Sequence, residues 1–125
     1  MPESDRVFLV SLRKRAEFLA VRGGAKWVTP AFVLEAKSRP ASPGIDPSPR
    51  FGLTVTKKLG SAVVRNRIRR RLKEALRTGA ANEARPGFDY VVIARAPALM
   101  RPFEELMADF RLALAKVHRQ AKPGA

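Results

Sequence analysis

Residues 50–77, RFGLTVTKKLGSAVVRNRIRRRLKEALR, carry a strand, a turn and a long helix in succession. From Phe51 to Lys57 the side chains alternate. Phe51, Leu53 and Val55 go one way and Gly52, Thr54 and Thr56 the other, the period of a strand with a single apolar face. Ser61 has the side chain of a helix N-cap, and the spacing predicts a helix from there to Arg77, closed by Gly79 as a left-handed terminator. At about 100° per residue, Val64, Ile68, Leu72, Ala75 and Leu76 fall on one arc. Arg67, Arg69, Arg70, Arg71, Lys73 and Arg77 cover the remainder, so the helix docks by one side and presents cations elsewhere. Arg65 projects into the apolar arc on the first turn, where it is either paired at the core edge or waiting for an anion. The 28-residue stretch holds ten basic residues and one acid, nine of the chain's fourteen net positive charges. Such a cluster repels itself, so folding alone gives no reason for it.

Working outward, Leu12 to Val21 reads as a helix stopped by Gly23-Gly24, and Trp27 to Pro30 as a short extended piece. Ala31 to Lys37 alternates Phe32, Leu34 and Ala36 against Val33, Glu35 and Lys37, a strand with one apolar face. Residues 38–50, with four prolines, two serines and a glycine after Ser38, read as a flexible hairpin loop. Beyond the arginine helix, a loop through Gly87 leads to Phe88–Arg95. Its unbroken Tyr-Val-Val-Ile-Ala run marks a central strand covered on both faces. Pro102 sits well as the first residue of a last helix striped by Phe103, Leu106, Phe110, Leu114 and Val117. Lys116, His118 and Arg119 stand at its end as cations against the helix dipole, and 120–125 is expected to fray. The order helix, strands, helix, strand, helix gives one α+β domain over 1–125, an α-β sandwich with a mainly antiparallel sheet.

Composition narrows the chemistry. The chain of 125 residues has 25 lysines and arginines against 11 acids, a net charge of +14 and a pI near 11.5, while 46% hydrophobic content is enough for a core. A polyanion is the expected partner, and nucleic acid the first suspect. Its apolar runs fall far short of the roughly 20 residues that span a bilayer, so no membrane is expected. The opening MPESDR lacks the charge and apolar stretch of an export signal, and there are no cysteines, which makes the cytoplasm the expected location. A single histidine and scattered carboxylates leave no candidate catalytic residue and no metal site. Gly23-Gly24 lacks the spacing of a phosphate loop, so no cofactor is expected on the protein.

The run FGLTVTKKLGSAVVRNRIRR, from Phe51 to Arg70, resembles the signature of the bacterial ribonuclease P protein subunit. The likeness extends to Phe18 in the first helix and to the Val-Val-Ile-Ala-Arg strand ending at Arg95, and the element order agrees over nearly the whole chain. By resemblance, the sandwich would include a left-handed crossover through the arginine helix, where general handedness favours the right-handed form. The resemblance implies an accessory subunit of an RNA-based endoribonuclease. Its partners would be the catalytic RNA, which holds the magnesium, and precursor tRNA, whose 5′ leader is removed. Arg65, Asn66, Arg67, Arg69 and Arg70 would contact the RNA subunit, guanidinium forks matching phosphate oxygens. The leader would lie in a cleft between the first helix and the open sheet face. Phe18, Arg22, Val33, Glu35, Thr54, Thr56, Lys57 and Lys73 are its candidate residues.

Phe18 lies off the Leu12-Ala16-Leu19 stripe and is either a base-stacking platform or a core residue. The chain departs from the family pattern at Arg22 and Glu35, where relatives often carry further aromatics, so leader binding here leans on charge. Glu35 is unhelpful beside phosphate and calls for a cation or water. Trp27 and Tyr90 read as packing residues. Three other functions fit the charge and size. A ribosome- or translation-associated RNA-binding protein would bind ribosomal RNA and not assist tRNA processing. A DNA-binding protein is disfavoured because arginines spread around the helix suit phosphates better than a base-reading edge. A self-sufficient nuclease lacks the carboxylates it would need.

Overall fold

The computed structural model describes residues 10–12, 14–79 and 81–121. In chain order it contains β1 (Val10–Ser11), α1 (Arg15–Val21), β2 (Ala25–Val28), β3 (Phe32–Ser38), β4 (Arg50–Thr54), α2 (Ala62–Gly79), β5 (Phe88–Ala94) and α3 (Phe103–Gln120). The five strands lie in the order β1-β4-β5-β3-β2. β3 pairs antiparallel with β5, the longest ladder, and with β2, while β4 runs parallel to β5 and β1 parallel to β4. The apolar run of β5 thus occupies the centre.

The core lies between the sheet and the α2–α3 pair. Phe32, Leu34 and Ala36 of β3, Phe51 of β4 and Tyr90, Val92 and Ala94 of β5 face Ile68, Leu72, Ala75 and Leu76 of α2 and Leu106, Phe110, Leu114 and Val117 of α3. Burying each such large side chain contributes roughly 1.5–3 kcal/mol. Phe32 stacks on Phe110 at 4.2 Å between centroids, tying β3 to α3, and Phe51 on Tyr90 at 4.7 Å, tying β4 to its neighbour β5. A smaller cluster of Leu12, Val21 and Val91, with Phe18 and Ile93 against it, seats α1 on the opposite face of the sheet.

Several sequence expectations are corrected. The segment between β3 and β4 is not a hairpin connection, because β5 lies between those strands. Ser38 and Arg50, the ends of the expected loop, are strand residues. The loop is pinned by Arg39, which donates to the carbonyls of Asp46, Ser48 and Phe88 and to Asp89. The first helix begins at Arg15, not Leu12; Leu12 is buried and its amide donates to Phe51 O, continuing the β1 pairing. Gly79 does not have the positive φ of a left-handed terminator and belongs to α2. A Cβ there would come within 2.7 Å of Met107, so its smallness lets α3 approach.

The last helix begins one residue after Pro102. Its end is not frayed at Gln120, whose amide donates to the Lys26 carbonyl at 3.1 Å and accepts from the Lys26 N–H at 3.0 Å. Residues 122–125 lie outside the described residues. His118 does not act as a cation at the helix end. It is buried, and its Nε2 lies 2.6 Å from the Tyr90 hydroxyl. That hydroxyl also accepts the Arg85 N–H, and toward a neutral imidazole it can donate its own proton to Nε2. Burial, with the Arg85 charge adding to it, pulls the His118 pKa down to about 4. Trp27 and Tyr90 are packing residues, Trp27 beneath the Lys116 ammonium at 5.3 Å from the ring centroid.

Candidate nucleic-acid interface

Between α1 and the outer face of the sheet runs a groove of about 640 Å³. Val91 and Ile93 of β5 give it an apolar floor, and Leu53 of β4 and Val55 after it, which also pack against the main core, complete the apolar lining. Phe18 and Leu19 line it from α1, Thr54 and Glu35 add polar atoms, and Arg15, Arg22 and Arg69 bring three cations to the walls. Residues 15, 18, 19 and 22 stand at i, i+3, i+4 and i+7, so one face of α1 forms a wall of two arginines flanking two apolar side chains.

Phe18 owes its position to β4. A Cβ on Gly52 would lie 2.4 Å from the Phe18 ring, so only glycine lets the ring settle on the strand. The ring packs against Leu12, Val21 and Val91 and remains half-buried, with its other side toward the groove. The side chain thus belongs in part to the smaller core and in part to the groove lining.

A charge network anchors α1 beside the groove. Asp89, nearly buried, accepts from Arg50 Nε at 2.8 Å, Arg50 Nη2 at 2.7 Å and Arg39 Nη1 at 2.8 Å. Arg50 also reaches Glu17 at 3.3 Å, and Glu17 caps the helix start by accepting the Lys14 N–H at 3.0 Å. The hydrogen bonds to Asp89, with the nearby Glu17 charge, raise the Arg50 pKa further. These arginines are engaged within the fold.

The cations of α2 divide in the same way. Arg67 and Arg70 are exposed and make no hydrogen bond or ion pair with a described residue. Asn66 is exposed and accepts from Arg69 Nη1 at 2.9 Å, which holds the Arg69 guanidinium at the groove rim. Arg65 donates from Nε to the Gly60 carbonyl at 3.2 Å, so the expected core-edge ion pair is absent among the described residues. Arg71 does not belong to the free cationic face: it donates to the carbonyls of Ala98 and Arg101 and ties α2 to the turn before α3. Arg77 pairs with Glu74 at 2.5 Å.

Of the expected cleft residues, Phe18, Arg22, Glu35 and Thr54 line the groove. Val33 shares that sheet face, paired with Ile93, but is not in the lining. Thr56 and Lys57 lie beyond the end of β4 and Lys73 on exposed α2, all outside the lining. Arg69, expected on the RNA-subunit surface and also as a charge contributor to leader binding, lies on the groove. Arg15 and Leu19 were missed, although the α1 spacing carried the signal; placing the helix start at Leu12 hid it. Among the described residues no three histidine, cysteine or acidic side chains cluster as metal ligands, and no helix is long and apolar enough to cross a membrane.

The family model described as Ribonuclease P matches residues 9–118. The ribonuclease P protein component of Brucella suis is 47% identical over 118 residues, which cover 90% of this chain and 84% of that protein. That of Bartonella quintana is 52% identical over 101 residues, covering 78% and 75%. Among solved structures, the RNase P protein of Staphylococcus aureus matches with a TM-score of 0.67 at 27% identity, over 92% of this chain and all of that one. The RNase P protein of Thermotoga maritima matches with a TM-score of 0.66 at 26% identity, over 84% and 96%.

Proposed function

The chain belongs to the ribonuclease P protein family, the accessory protein subunits of an RNA-based endoribonuclease that processes tRNA, and on that premise we propose how its two surfaces divide the work. The exposed face of α2, with Arg65, Asn66, Arg67 and Arg70, binds the phosphate backbone of the RNA subunit. The groove between α1 and the sheet takes the single-stranded 5′ leader of precursor tRNA. The observation that carries this reading is the seating of Phe18 on Gly52, partly exposed in the groove lining with Arg15, Arg22 and Arg69. Bases stack on such a ring without regard to sequence, and cations at the walls follow the phosphates. Arg69, held by Asn66, stands where the two surfaces meet and serves both. Val33, Thr56, Lys57 and Lys73 extend the path beyond the groove lining.

In this reading, as the family resemblance implies, the RNA subunit holds the magnesium. The protein contributes binding. Its charge of +14 offsets repulsion between substrate and RNA phosphates, a contribution that matters most when little metal screens them.

Reconstitution with a bacterial ribonuclease P RNA and a precursor tRNA tests the proposal. The protein alone is expected to cleave nothing, and its stimulation of the RNA is expected to be largest at low magnesium. Stimulation independent of magnesium, or equal affinity for precursor and mature tRNA, would refute it.

A further inference from the structure

Glu35 stands in the middle of β3, paired with Val91 on one side and Lys26 on the other, and its half-buried side chain opens into the groove. It forms no hydrogen bond or ion pair with any described residue, Lys26 included. The acidic groups Glu17, Glu74, Asp89, Glu105 and Asp109 are each held by an arginine. A groove that receives a polyanion therefore keeps one acceptor-only group open, beside an apolar floor that offers it no donor.

This arrangement dictates how a strand lies there. Phosphate is repelled by a carboxylate and attracted by Arg15, Arg22 and Arg69 at the walls, so the backbone follows the walls and a base turns its edge to Glu35. A carboxylate is satisfied only by N–H or O–H donors. Guanine presents two parallel donors, N1–H and N2–H, on one edge and can engage both carboxylate oxygens at once, as a guanidinium does. Adenine and cytosine offer one amino group beside a ring acceptor that the carboxylate repels. Uracil offers one N–H between two carbonyls.

We infer that Glu35 is a specificity-determining residue, making the groove prefer guanine at the leader nucleotide that lies over it. This rests on the leader occupying the groove as proposed above. It assigns to this chain a sequence preference that stacking on Phe18 and phosphate contacts do not provide.

The test uses the reconstituted RNA–protein holoenzyme and precursor tRNAs whose short oligouridine leader carries a guanosine at each position in turn. Affinity is expected to rise at one position by on the order of tenfold, the worth of a bidentate contact to a base. Adenosine or cytidine there should give less. Glu35→Gln, close in shape but with one acceptor oxygen replaced by a donor, is expected to shrink the guanosine advantage below about twofold. Phe18→Ala, measured on precursor and mature tRNA, reports separately on the groove. If Phe18→Ala selectively weakens precursor binding while guanosine gives no advantage, or one that Glu35→Gln leaves intact, the inference about Glu35 is wrong and the leader groove stands. If neither substitution changes precursor binding relative to mature tRNA, the leader lies elsewhere and both fail.

Discussion

Acidification should loosen this protein well before its carboxylates are titrated, because of His118. Burial, with the Arg85 charge adding to it, holds its imidazole pKa at about 4 against an ordinary value of 6.5, with Nε2 in a 2.6 Å hydrogen bond with the Tyr90 hydroxyl. Unfolding releases the ring to water, so between those two values the unfolded chain binds a proton that the folded chain refuses. Stability is therefore fully present above about pH 6.5 and falls as the pH drops toward 4. The whole gap corresponds to about 3 kcal/mol, of which about 2 kcal/mol should be lost between about pH 7 and pH 5. Urea denaturation at a series of pH values measures the slope directly. Glutamine at this position can accept the Tyr90 proton and does not titrate, so His118→Gln should flatten the profile over that window whatever it does at pH 7. A wild-type stability unchanged between pH 7 and pH 5, or an equal slope in the variant, would refute a neutral buried imidazole.

Gly52→Ala should displace the Phe18 ring, which stands 2.4 Å from the new Cβ, at about 1–3 kcal/mol of stability and with weaker binding of precursor but not mature tRNA; equal effects on both RNAs would count against the groove. Asp89→Ala strands two arginines, and because both are partly exposed the expected cost is at the low end of roughly 3–5 kcal/mol. A shift in the urea midpoint worth less than about 1 kcal/mol would show that the network does not anchor α1. Replacing Arg67 and Arg70 by alanine should lower the log-log salt slope of RNA-subunit binding by about 0.7 to 0.9 per contact without changing the melting temperature. Arg71→Ala should do the reverse, since its guanidinium serves two backbone carbonyls.

What could be read from the sequence follows what one residue's neighbours reveal. The Tyr90–Ala94 run announced a central strand because a strand covered on both faces has no polar alternation. The apolar arc of α2 emerged from simple periodicity. β1 is only two residues long, below the span over which alternation is visible, and β5 separates β3 from β4 by a choice of pairing that no local pattern encodes. Gly79 has the residue type of a terminator, and only the approach of Met107 distinguishes the two uses. Arg71 and Arg67 look alike in sequence and part company through the carbonyls of Ala98 and Arg101, 27 and 30 residues away from Arg71. In the groove, Phe18 and Arg22 are reached through the family resemblance, whereas the open state of Glu35 depends on which arginines are already engaged elsewhere.

The Gln120 side chain has a consequence for how the molecule meets copies of itself. By giving and taking one hydrogen bond each with Lys26, it occupies the amide and carbonyl of one residue of the edge strand β2, as a residue of a sixth strand would. A sheet left open at β2 would invite lateral growth, a hazard for a chain gathered at high local concentration on a polyanion. One amide at the last turn of α3 thus shortens the open stretch of that edge, and it makes Gln120 a poor place to cut the chain or attach a tag.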